Sequence, residues 1–148
     1  MQVRLIFAVA LAAMSFAPAI GSAQDLTACR ADAPPETQVA ACNAALTANT
    51  AARVELLLGR AAAYRKAQQR EQAIADYTEA MRLQLPTARV LFARGQTYRE
   101  AGDRRRALTD YDAALKLDSA LEPLKAARKT LFEEIERAGA MMPAQPAK

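Results

Sequence analysis

VELLLGRAAAYRKAQQREQAIADYTEAMRLQLPT occupies residues 54–87, and ARVLFARGQTYREAGDRRRALTDYDAALKLDSAL follows at residues 88–121. Laid over one another, the two stretches agree at a constant offset of 34 residues. Leu57 meets Leu91, Arg60 meets Arg94, Tyr64 meets Tyr98 and Arg65 meets Arg99. Further along, Ala73 meets Ala107, Asp76 meets Asp110, Tyr77 meets Tyr111 and Ala80 meets Ala114. Self-similarity at such a period marks stacked supersecondary units, each of which buries its apolar face only against a neighbour.

Each unit reads as two helices. Val54, Leu57, Ala61 and Tyr64 fall on one helical face, as do Ala88, Leu91, Gly95 and Tyr98. A break follows at Gln68-Gln69 and again at Gly102-Asp103, where Asp103 is suited to cap the next helix. Ala107, Leu108, Tyr111, Ala114 and Leu115 then form a second apolar stripe. The composition agrees: alanine, the best helix former, is the commonest residue, and only five glycines occur among 148 residues.

The pattern resembles the tetratricopeptide repeat, which has a large apolar residue at position 4, small residues at 8, 20 and 27, and aromatic residues at 11 and 24. Leu57, Ala61, Tyr64, Ala73, Tyr77 and Ala80 fill these slots once. Leu91, Gly95, Tyr98, Ala107, Tyr111 and Ala114 fill them again. The chain departs from the pattern with leucine at position 4, with proline one place late at Pro86 and replaced by Ser119 in the second unit, and with Gln68 where a loop glycine is usual. The resemblance implies an all-α, right-handed α-solenoid of antiparallel helix pairs.

The flanks supply neighbours for these two units. Leu121, Leu124, Arg128, Leu131 and Ile135 lie on one face of a closing helix that stops near Gly139, and Phe132 occupies its position-11 slot. Upstream, Val39, Cys42, Ala45 and Leu46 align with Ile74, Tyr77, Ala80 and Met81, and Pro34-Pro35 suits a first helical turn. The expected organisation is a half repeat over 25–52, repeats over 54–87 and 88–121, a capping helix over 121–138 and a loose tail over 140–148. Helices are predicted over 35–48, 53–67, 70–84, 87–101 and 104–117, besides the closing one. Together these make a domain over 24–139.

Residues 1–23 read as a secretory signal peptide: a basic start, an apolar run from Leu5 to Ala17, and small residues before a cut after Ala23. The run is too short to span a membrane, so the expectation is a periplasmic protein without membrane insertion after cleavage. In an oxidising compartment two cysteines suggest a bridge, and one intramolecular pairing exists, Cys29 with Cys42. Leu26-Thr27-Ala28-Cys29 resembles a bacterial lipobox, but Gln24 and Asp25 interrupt it. A lipid-anchored envelope subunit is therefore the alternative, not the expectation.

For function, the resemblance implies a non-catalytic module that binds a protein or peptide on the concave surface. The family's surface positions 2, 5, 9 and 12 become Glu55, Leu58, Ala62 and Arg65, then Arg89, Phe92, Gln96 and Arg99. Leu58 and Phe92 offer an apolar floor, and the two arginines could engage acidic groups. Position 5 holds Leu58 and Phe92 and position 9 holds Ala62 and Gln96, so the lysine and asparagine set with which some members grip a C-terminal carboxylate is missing. Self-association is also possible. A net charge of +4 with no basic–aromatic interleaving argues against nucleic acid. No histidine and two cysteines leave no metal site or cofactor to expect. An enzyme would have to use carboxylates such as Asp76 with Glu79, or Glu133, Glu134 and Glu136, which read more simply as solvated helix faces.

Overall fold

The structure, a computed structural model, describes residues 23–48 and 52–140. Seven helices follow in order: α1 Ala23–Arg30, α2 Pro35–Ala48, α3 Arg53–Lys66, α4 Arg70–Leu83, α5 Ala88–Glu100, α6 Arg104–Leu117 and α7 Glu122–Ala140. Among the described residues there is no strand. Each helix packs on the next in chain order, and α1 also reaches α3. Short connections force neighbours antiparallel, so α3–α4 and α5–α6 are the two full pairs and α7 closes the stack.

The helix boundaries lie within one or two residues of those read from the sequence. Asp103 caps α6, its carboxylate accepting the Arg106 backbone N–H at 2.9 Å. Thr87 does the same for α5, accepting from Val90 N at 3.3 Å. The turn between helices of a pair needs one residue in the left-handed region. Gly102 provides it at φ 84°, and Gln68 is held there at φ 61° in the first repeat, where a side chain is disfavoured.

The twelve slots of the repeat pattern form about half of the interior. All are buried except Tyr64, which is half-buried. One cluster joins Ala61, Ala73 and Tyr77; a larger one joins Leu91, Tyr98, Ala107, Tyr111 and Ala114 with Leu124 and Leu131 of α7. The small slots are small for a reason visible at Gly95, where a Cβ would lie 2.7 Å from the Tyr111 ring.

At the N-terminal end, Cys29 and Cys42 are joined by a disulfide, and both are buried beside Ala45 and Leu56. The short segment expected in place of a full first helix is itself the eight-residue helix α1. Cys42 stands in the slot of Tyr77 and Tyr111, so the bridge fills volume that a ring fills elsewhere. Gly59 faces it: a Cβ there would sit 2.8 Å from the Cys29 sulfur. The leader expected over 1–23 lies outside the described residues except for Ala23, which begins α1, and the expected tail lies outside them from residue 141 onward.

Candidate binding surface

The surface is built on a frame of ion pairs that repeats with the sequence. Arg60 donates from Nε and an NH2 group to both oxygens of Asp76, at 2.7 Å each, and from its other NH2 group to Asn43 at 2.7 Å. One unit later Arg94 donates to both oxygens of Asp110, at 2.8 and 2.7 Å, and reaches back to Thr78 at 3.0 Å. In α7, Arg128 reaches back to Asp112 at 2.5 Å. Each arginine thus ties its own helix to the second helix of the preceding unit, and in the full repeats also to its partner helix. Bidentate geometry fixes orientation as well as distance. Hydrogen bonding to Asp76 and Asp110 raises the Arg60 and Arg94 pKa values above the ordinary arginine value.

On this frame the expected surface residues fall along α3 and α5. Glu55, Ala62 and Arg89 are exposed, while Leu58, Arg65, Phe92, Gln96 and Arg99 are half-buried. Leu58 and Phe92 are not free of the interior. Leu58 packs against the Ala61–Ala73–Tyr77 cluster, and the Phe92 ring centroid lies 5.6 Å from that of Tyr111. Position 5 adjoins the apolar arc through position 4, so a long side chain there leans back over the core.

The two arginines are engaged with neighbours in the same register. Arg65 donates to Gln96 at 3.1 Å and pairs with Glu100 at 3.5 Å. Arg99 is hydrogen-bonded to Glu134 of α7, which also lies 3.8 Å from Arg104. Hydrogen bonding to Arg99 holds the Glu134 carboxyl below the ordinary glutamate value. Glu100 and Glu134 stand one repeat apart, as do Arg70 and Arg104. That spacing was the available sequence signal for these partners.

Two recesses open between these groups. One of about 440 Å3 is lined by Ala62, Arg65, Lys66, Gln68, Arg70 and Glu100. Another of about 250 Å3 is lined by Gln96, Arg99, Glu100, Tyr111 and Glu134. The Tyr111 hydroxyl and Arg70 Nε are buried, and the Tyr111 hydroxyl lies beside the Arg99 guanidinium. Burial pushes the Tyr111 phenol up, against the pull of Arg99. The carboxylates considered for catalysis do not converge: Asp76, Glu79, Glu133 and Glu134 each pair with a different basic side chain.

The family model of the tetratricopeptide repeat matches residues 88–121. Among solved structures, the tetratricopeptide domain of Arabidopsis OM64 aligns at 25% identity with a TM-score of 0.62, covering 67% of this chain and 81% of that one. The second such domain of human RPAP3, solved in complex with the HSP70 peptide SGPTIEEVD, aligns at 23% identity with a TM-score of 0.60, covering 66% and 81%. No curated protein matches the chain.

Proposed function

We propose that this protein is a non-catalytic binding module that holds a protein or peptide along the α3–α5 face, and that it works in the periplasm after removal of residues 1–23. The observation that carries the binding reading is the open recess between α3 and α5, where Arg65, Lys66 and Arg70 gather around Glu100. The similarity in fold to a domain solved with a peptide supports the class of partner. Arg65, Arg70 and Lys66 around Glu100 leave an excess of positive charge, which suits a segment carrying acidic side chains. Phe92, packed against Tyr111, contributes by shaping the floor. The leader-like start and the Cys29–Cys42 bridge support export. The bridged Cys29 has no free thiol for a lipid, which favours the unanchored form.

Two experiments test this. Affinity capture from the native compartment compares wild type with Ala62→Glu and with the Arg65→Ala/Arg99→Ala pair. The captured protein should be lost from both variants while helicity persists; full retention in both would remove the face from consideration. Mass spectrometry of the protein recovered from the periplasm should show an N-terminus at Gln24. An intact leader, or an acylated Cys29, would contradict the export reading.

A further inference from the structure

The outer edge of the stack is α7, and its register differs from that of α3 and α5. At the repeat spacing, Leu57 and Leu91 are followed by Lys125, and Ala61 and Gly95 by Lys129. The aromatic slot of Tyr64 and Tyr98 is kept as Phe132. In α3 and α5 these slots accept the second helix of the pair, and the small slot already has no room to spare at Gly95. A lysine in that slot bars another second helix from packing in the same way. Yet Phe132 remains, 46% exposed.

The charges on this face separate along the helix. Lys125 (paired with Glu122), Arg128 and Lys129 precede Phe132, and Glu133 and Glu136 follow it with Arg137 beside them. Helical periodicity brings Lys125, Arg128, Phe132 and Glu136 to one side. Arg128 uses its Nε on Asp112. The Glu136 side chain has no ion pair or hydrogen bond among the described residues. The Lys129–Glu133 pair is exposed and 4.0 Å long, and so is readily exchanged.

We propose that the protein forms a two-fold dimer through antiparallel contact of α7 with α7 of a second copy, Phe132 against Phe132 at the axis. In an isologous contact each residue pair occurs twice. Antiparallel pairing about Phe132 sets Glu136 of one protomer opposite Arg128 and Lys129 of its partner, and Gly139 opposite Lys125. A parallel pairing would set like charges together. The same lysines that end the repeat array therefore select a partner with acid following the aromatic residue, which a second copy supplies.

Sedimentation equilibrium of the purified chain, from low micromolar to near-millimolar concentration, tests this. The average mass should rise from monomer towards dimer, with weaker association at high salt. Phe132→Glu should raise the dissociation constant at least about tenfold, or about 1.4 kcal/mol, without loss of helicity, because the ring is exposed. Lys129→Glu and Glu136→Lys should each weaken the dimer, and the two combined in one chain should restore it. A monomer at every concentration, a dimer indifferent to Phe132→Glu, or a combined variant no stronger than the single ones would overturn the proposal.

Discussion

At the residue scale, the frame rests on arginines whose partners come from two different helices. Asp110 is buried, and Arg94 keeps only 18% of its side-chain exposure. Asp110→Asn leaves that guanidinium without its counter-charge, so unfolding free energy should fall by about 2–3 kcal/mol, somewhat less than for a fully buried pair. Chemical denaturation checks this, and a loss of less than about 1 kcal/mol, the range of an exposed pair, would show the frame to be ornamental. Glu134 sets a pH dependence. Its folded pKa lies below the ordinary value because Arg99 donates to it. Its contribution is therefore complete above the unfolded glutamate pKa and disappears as pH falls through the folded one. The stability advantage of wild type over Glu134→Gln should be present near neutrality and vanish in acid; an advantage independent of pH would contradict the pairing. Tyr111→Ala should cost about 3–5 kcal/mol, since the ring is completely buried between α5 and α6.

At the scale of elements, the turn at Gln68 is a local misfit. Gln68→Gly should raise stability by about 0.5–1 kcal/mol in a thermal or denaturant melt, because Gly102 already solves the equivalent turn. No gain would mean that Gln68 is not strained. The α1–α2 end depends on its bridge. Reduction should lower stability by about 3 kcal/mol and expose α1 amides to exchange before those of α5 and α6. Gly59→Val should mimic part of this loss by crowding the Cys29 sulfur. The helices were legible because the tyrosine and alanine spacings name both the face and the period. The bridge was legible from the cysteine count, but Gly59 was not, since a glycine within a helix announces only that something comes close. Arg60, Asp76 and their repeats were visible as matches without a role; their bonding depends on which helix faces which. Phe92 was read as part of an apolar floor, but its contact with Tyr111 was not legible, because spacing alone does not tell a side chain at the margin of the apolar arc from one beyond it.

At the scale of the molecule, stacking carries each local rule to the next unit, so the surface groups also recur: Arg65 with Glu100, then Arg99 with Glu134. A partner lying along α3 and α5 would meet the same chemistry twice, which favours an extended segment over a compact ligand. The most direct measurement of that claim is site-resolved photo-crosslinking in living cells. A photoreactive residue would replace Ala62 or Arg89 on the proposed face, or Ala75 or Lys116 on the second helices, all four being exposed. Adducts should form from Ala62 and Arg89 and be lost when Arg65 and Arg99 are both changed to alanine. Adducts confined to Ala75 and Lys116 would contradict the account and move the binding surface to the opposite side of the stack.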